Sequence, residues 1–220
     1  MEHVWRHRQW TPLAHALTAT GDRWKLLIVL ALAPGPVRLS RLKEHLPGIS
    51  TGVLEHHVQQ MVSLGLLSRQ RFREMPPRVE IELTDCGREL LPIASALARW
   101  GMRHQWLAPG DRERVEADAL LRQLPALLEE ETDLPDGTVE AVLSGHGDWV
   151  CHRFLVQDGR LHGVDEPRLE PTARVEGDEA AWVAALGPEH DYAGLRFKGK
   201  RALARRILDS LPRRALERSS

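Results

Sequence analysis

Residues 39–84 read LSRLKEHLPGISTGVLEHHVQQMVSLGLLSRQRFREMPPRVEIELT. Leu39, Leu42 and Leu46 fall at helical spacing and predict a short helix with these leucines turned inward. Pro47-Gly48 predicts a tight turn, and Ser50 stands where an N-cap belongs. From there to about Leu64 the apolar positions Leu54, Val58, Met61 and Val62 recur on one side, and Gly65 supplies the stop. A helix, a turn and an amphipathic helix make the helix-turn-helix layout.

The period then changes from that of a helix to that of a strand. Leu66–Arg73 predicts a strand with Arg69, Arg71 and Arg73 at alternate positions, and Glu74-Met75-Pro76-Pro77 predicts a turn. Arg78–Thr84 predicts a second strand with Val79, Ile81 and Leu83 on one face. A basic hairpin directly after a helix-turn-helix reads as a wing, which sets cations beside phosphates or in a minor groove. The other reading of these arginines is a solvated edge strand blunted by charge.

On the N-terminal side, Asp22 can cap a helix from Arg23 to about Ala33, with Trp24, Leu27, Ile28 and Ala31 on one face. Ala33-Pro34-Gly35-Pro36 stops it. After the hairpin, a helix is expected from Cys86 to about Leu107 with Leu90, Ala94, Leu97 and Gly101 in one stripe. The stripe reads either as a seam with a second copy or as packing within the chain, and Trp100 and Trp106 fit both.

The run from Trp10 to Gln105 resembles the HxlR-type winged-helix regulators, relatives of the MarR regulators. The matching pieces are Gly21-Asp22-Arg23-Trp24 leading into Leu26-Leu27-Ile28, Leu39-Ser40-Arg41-Leu42, and Leu46-Pro47-Gly48-Ile49-Ser50. Leu64-Gly65-Leu66-Leu67, Pro76–Thr84, Gly87-Arg88-Glu89-Leu90-Leu91-Pro92 and Ala98-Arg99-Trp100 follow in order. The resemblance implies a homodimer held by outer helices, a recognition helix in the major groove of double-stranded DNA, and transcriptional control. The expected DNA-facing set is Arg38, Arg41, Lys43, Ser50, Thr51, Gly52, Val53, His56, Gln60, Arg69, Arg71, Arg73 and Arg78.

The chain departs from its relatives in two places. Trp10-Thr11-Pro12 lacks the cysteine that some relatives use as a redox sensor. The helix from Ser50 to Leu64 contains no Lys or Arg; its outward face holds Gly52, Val53, His56, Gln59, Gln60 and Ser63. Gln can read adenine through two hydrogen bonds, and Thr51 and Val53 can touch a thymine methyl. Affinity would then lean on the wing arginines and on Lys25, Arg38, Arg41 and Lys43.

Charge separates the two halves. Residues 1–109 hold 14 Lys/Arg against 9 Asp/Glu, and residues 110–220 hold 16 against 22. A basic half joined to an acidic half fits one domain that meets a polyanion and one that does not. Leu107-Ala108-Pro109-Gly110 reads as the linker. A helix is expected from Asp111 to about Glu131, then strands at 138–143, 149–157, 160–164 and 173–176, with Asp158-Gly159 as a hairpin turn. A short helix at 178–186, a strand at 195–197 and a basic helix at 201–211 complete the order.

This order resembles the sterol-carrier-protein-type-2-like fold, through a mid-domain helix with Trp182, the strand end Phe197-Lys198-Gly199 and the final amphipathic helix. The resemblance implies a pocket for a small apolar ligand. Trp149, Phe154, Trp182, Leu186 and Leu195, with Leu155 and Val164, are the candidate wall residues; the alternative is that they fill an ordinary core.

The expected class is therefore α+β: a winged helix-turn-helix domain at 1–108, a smaller α/β sterol-carrier-like domain at 112–212, and a tail at 213–220. No nucleophile elbow, Walker loop or Rossmann fingerprint is present, so an enzyme is not expected, and neither is a cofactor. His146, Cys151 and His152 are not expected to bind metal, because Cys151 and His152 point to opposite faces of a strand. His56 and His57 are read as groove-facing and helix-edge polarity. Two cysteines and no apolar run of membrane-spanning length lead to the expectation of a cytoplasmic protein with no membrane partner. The alternative function is a ligand-sequestering protein that keeps the winged helix as a dimer scaffold.

Overall fold

Asp22, Ser50 and Thr84 each begin a helix by accepting a backbone N–H: from Trp24 at 2.8 Å, Val53 at 3.3 Å and Gly87 at 3.1 Å. The computed structural model describes residues 11–72, 78–105, 117–128, 133–145, 149–164, 170–187 and 190–213. The chain divides into two compact units, 1–94 and 95–220.

The first unit contains α1 (Pro12–Thr20), α2 (Arg23–Ala31), β1 (Val37–Arg38), α3 (Leu39–His45), α4 (Thr51–Ser63), β2 (Leu67–Phe72), β3 (Arg78–Leu83) and α5 (Asp85–Arg88). The strands form an antiparallel sheet in the order β1-β3-β2. Its core joins Ile28 and Val29 of α2, Leu42 of α3, Leu54, Val58 and Met61 of α4, and Leu67, Ile81 and Leu83 of the sheet. The two-residue β1 was not expected; it exists because Val37 pairs with Ile81.

The single helix expected from Cys86 is two. After α5 a turn at 89–90 leads into α6 (Leu91–His104). Pro92 has no N–H to give the Arg88 carbonyl, and its ring would clash there, so a continuous helix is broken one turn earlier. Gly87 also lies against the sheet: a Cβ there would stand 2.1 Å from the Leu66 carbonyl oxygen.

The boundary between the units falls inside α6 rather than at the expected linker, because Ala98 and Met102 belong to the second core. Arg99 of α6 donates to the carbonyls of Ala126 and Leu128 at 3.2 and 3.0 Å. The expected linker itself, and Trp10, Arg73, Glu74–Pro77, Trp106 and His146, lie outside the described residues.

The second unit continues with α7 (Ala117–Leu127), β4 (Gly137–Ser144), β5 (Trp149–Gln157), β6 (Arg160–Val164), β7 (Ala173–Asp178), α8 (Glu179–Leu186), β8 (Arg196–Gly199) and α9 (Arg201–Asp209). The elements appear in the order the sequence predicted. Five strands pair as β6-β5-β4-β7-β8, with β4 and β7 parallel and the other pairs antiparallel. Asp158 and Gly159 both take positive φ, 52° and 73°, as a two-residue hairpin turn requires. Thr138 and Thr172 fasten β4 to β7: each hydroxyl accepts the other's backbone N–H, at 2.9 and 2.6 Å. The helices cover one face of the sheet, burying Val139, Ala141, Phe154, Val156 and Val175 against Leu121, Trp182, Leu186 and Ile207.

Candidate nucleic-acid interface

Gly48 sits at φ 79° between α3 and α4, a left-handed turn that glycine makes without strain. Ser50 then caps α4. Leu54, His57, Val58 and Met61 are buried. The opposite side presents Thr51, Gly52, Val53, His56 and Gln59 to solvent, with Gln60 half-buried and Ser63 exposed. This is the outward face expected from the sequence. Gln60 Nε2 lies 3.0 Å from His56 Nε2. With the amide donating, one amide hydrogen and the carbonyl oxygen of Gln60 remain for a base edge.

His57 and Lys25 depart from expectation. The His57 side chain is 9% exposed, lies 3.5 Å from Asp22 Oδ1, and among the described residues its Nδ1 has no partner. Burial pushes its pKa below the ordinary histidine value, and Asp22 only partly opposes this. Lys25, expected to help hold phosphates, is 8% exposed. It stands one turn before Ile28 and Val29 on a helix whose core-facing side is wide, so it is not available at the surface.

The sheet register sorts the remaining cations. Arg69 is exposed and pairs with Ile81, so it extends the face that carries Leu67 and Ile81 into the core. Arg38 is exposed and pairs with Glu80, on the other face. There Ser68 donates to Glu82 at 2.9 Å and Gln70 also donates to it. Arg41 is exposed and paired with Glu44 at 2.9 Å, while Lys43 is half-buried. Arg71 and Arg78 lie in the hairpin, backbone-paired with Val79 and Phe72.

On α6 the expected stripe divides between packing within the chain and solvent. Ala94 is buried and Leu90 and Gly101 are half-buried, leaving only Leu97 outward. The exposed apolar row is Ile93, Leu97 and Trp100, 58, 53 and 51% exposed and one helical turn apart.

In the second unit Phe154, Trp182, Leu186 and Leu195 share one core, and the Trp182 indole donates to the Val142 carbonyl at 3.0 Å. Trp149 does not join them. It is 60% exposed and pairs with Ser144 on the face without helices, as Leu155 pairs with Thr138 and Val164 with Arg153. Strand alternation separates positions 149, 155 and 164 from Phe154.

That open face holds a charge ladder that sequence reading missed. Glu140, 4% exposed, meets Arg153 at 2.9 Å and Arg174 at 2.7 Å. Glu176, 8% exposed, meets Arg174 at 2.7 Å, Lys198 at 3.0 Å and Arg196 at 3.8 Å. The hydrogen bond from Lys198 holds the Glu176 carboxyl below the usual range, against the effect of burial. The alternating charges Arg174, Glu176 and Arg196, Lys198 on adjacent strands were the available signal.

On the helix-covered side, Asp118 binds His152 Nε2 at 2.7 Å and also pairs with Arg122. Burial works to raise the Asp118 pKa, but these partners hold it low. Among the described residues no group of three His, Cys, Asp or Glu is placed to hold a metal. Among them, too, no helix is long and apolar enough to cross a membrane.

A capped helix with a bare polar face, set in a three-stranded sheet with a basic hairpin, defines a winged helix-turn-helix regulator. The HxlR-like helix-turn-helix family matches residues 19–109. The uncharacterized HTH-type transcriptional regulator BH0655 of Halalkalibacterium halodurans is 35% identical over 96 residues, 43% of this chain and 85% of that protein. YkvN, an uncharacterized HTH-type transcriptional regulator of Bacillus subtilis, is 35% identical over 102 residues, 46% of this chain and 86% of its own length. The reduced form of the transcriptional regulator YodB from B. subtilis is 29% identical with a TM-score of 0.40, covering 47% of this chain and 100% of that one. The chain belongs to the HxlR-like helix-turn-helix family of transcriptional regulators, which are DNA-binding proteins and not enzymes.

Proposed function

We propose that this regulator binds double-stranded DNA as a homodimer, with α4 in the major groove and the β2–β3 hairpin against the backbone, and that an apolar ligand in the second unit modulates binding. The observation that carries the DNA reading is the outward face of α4, which presents Thr51, Gly52, Val53, His56 and Gln60 opposite the buried Leu54, Val58 and Met61. Sequence readout would come from Gln60 and from methyl contacts at Thr51 and Val53. Affinity would come from Arg69 and the other hairpin arginines.

The exposed row Ile93, Leu97 and Trp100 supports the dimer, since three large apolar side chains at helical spacing form a ready seam. The ligand reading is supported by the order of elements in the second unit. A ligand would enter among Phe154, Trp182, Leu186 and Leu195, which pack against one another, so binding would have to part that core. The absence of Lys and Arg from α4 favours one second reading, sequestration of the ligand by a dimer that no longer binds an operator.

Selection of duplexes from a random pool by the full chain, followed by anisotropy titrations, separates the two. The regulator reading expects a preferred sequence and a loss of discrimination of about 1–3 kcal/mol at one base pair in Gln60→Ala. Binding with no preference, unchanged by Gln60→Ala, overturns the readout. Light scattering of the wild type against Leu97→Asp tests the dimer, with a wild-type monomer at micromolar concentration counting against it.

A further inference from the structure

Residues 110–195 hold 7 Lys/Arg against 20 Asp/Glu, while residues 196–206 hold 6 Lys/Arg and no Asp/Glu. Those eleven residues are β8, an edge strand of the sheet, and the first part of α9. Arg196 and Lys198 stand on the open face of the sheet with side chains 70 and 64% exposed. Lys200 is exposed at the corner, and Arg201 and Arg206 are exposed on α9, whose other side buries Leu203, Ala204, Ile207 and Leu208. The basic surface therefore wraps the β8 edge from the open face to the outer side of α9.

Two of the guanidiniums lie against aromatic rings. Arg201 lies 5.3 Å and Arg205 5.5 Å from the Phe197 ring, and Arg205 lies 4.8 Å from Tyr192. The Tyr192 hydroxyl donates to Asp209 at 3.0 Å, which occupies the acid on α9. Arg201 and Arg205 are like charges four residues apart, and the first turn of α9 carries Arg201 and no acid, against the helix dipole. Protection of a free edge accounts for Arg196 and Lys198 but not for the cations of α9. Among the described residues Lys200, Arg201 and Arg206 make no ion pair.

We propose that the β8–α9 edge is a second DNA contact, which binds the phosphate backbone of duplex DNA without reading sequence. It rests on the reading that this chain binds DNA, and it supplies charge that α4 lacks. A polyanion with closely spaced phosphates is the partner that a cluster of exposed cations fits.

The test uses the full chain and compares three proteins on one preferred and one unrelated duplex across a salt series: wild type, Arg69→Ala, and the triple variant Lys200→Gln, Arg201→Gln, Arg206→Gln. Circular dichroism checks folding, and the single variants Lys200→Gln and Arg206→Gln stand in where the triple variant is unfolded. The triple variant is expected to lose more than tenfold in affinity for both duplexes, keep the same sequence preference, and lower the salt slope by about 0.9 for each phosphate contact removed. An unchanged slope and affinity overturns the proposal; if Arg69→Ala still weakens binding in that case, the reading of the first unit stands. Loss in the triple variant with none in Arg69→Ala upholds the second contact and removes Arg69 from DNA binding. Wild-type binding to phosphatidylserine vesicles that the triple variant loses, with DNA affinity unchanged, assigns the edge to a lipid surface and overturns the proposal.

Discussion

The two sheets of this protein each pack one face on helices and treat the other face differently. In the three-stranded sheet the outer face keeps its polar groups at the surface: Ser68 and Gln70 share Glu82, and Arg38 pairs in register with Glu80. In the five-stranded sheet the outer face buries its carboxylates, Glu140 and Glu176, beneath arginines and a lysine. The partners explain the contrast. Glu140 and Glu176 are covered by cations from their own and adjacent strands, whereas Glu82, on the central strand β3, meets the neutral hydroxyl of Ser68 and amide of Gln70. The narrow sheet gains something else. Along β3, Ile81 is 2% exposed and Val79, two residues away on the same face, is 44% exposed. One alternation along β3 passes from the core into solvent.

The contrast sharpens most at Trp182. Replacing it with Ala removes a fully buried ring and the hydrogen bond to Val142, and about 3–5 kcal/mol of stability should be lost. Hydrogen exchange should place the loss in residues 117–213. Protection unchanged there would mean that the site relaxes around the missing ring. The ladder comes next. Glu140→Gln leaves Arg153 and Arg174 facing a neutral amide, and about 3 kcal/mol should be lost in urea unfolding, the low end for a broken buried pair because both arginines keep some solvent. A matching Glu82→Gln change in the narrow sheet should cost well under half as much. Equal costs would erase the distinction between the two faces.

Smaller effects belong to the first unit. Ser50→Ala removes the cap of α4 and should cost about 1 kcal/mol, with the helix N-terminus fraying first. The smallest is a pH effect at His57. Its folded pKa lies below its unfolded value, so between the two the unfolded chain binds more protons. Stability from this group is full above about pH 6.5 and falls as the pH drops through the folded value. A urea midpoint that declines from pH 7 to pH 5, and a flatter profile in His57→Leu, are expected. Asp118, whose pKa is also held low, gives the same sign only in more acid solution.

Much of the candidate interface was legible. Ser50, the turn at Gly48 and the inward Leu54, Val58 and Met61 left one side of α4 outward, and that side is the one exposed. The errors have local causes. Lys25 and His57 were read by residue type, although their positions on α2 and α4 face the core. Trp149 was grouped with Phe154 although odd and even positions of a strand point to opposite faces. The split between α5 and α6 is written in Pro92, and Leu97 shares its exposed side of α6 with Ile93 and Trp100 rather than with the buried Ala94.

By itself the sequence determined the order of elements, the helix caps, the Asp158-Gly159 turn and the two halves of opposite charge. Each of these rests on interactions between residues close along the chain. Only the tertiary structure decided that β7 crosses over to lie parallel beside β4, that Glu140 meets Arg174, and that Arg99 of α6 belongs with residues 126 and 128. These contacts join positions about thirty residues apart, and the strand order that brings them together is chosen by burial of a whole sheet face, which no local pattern specifies.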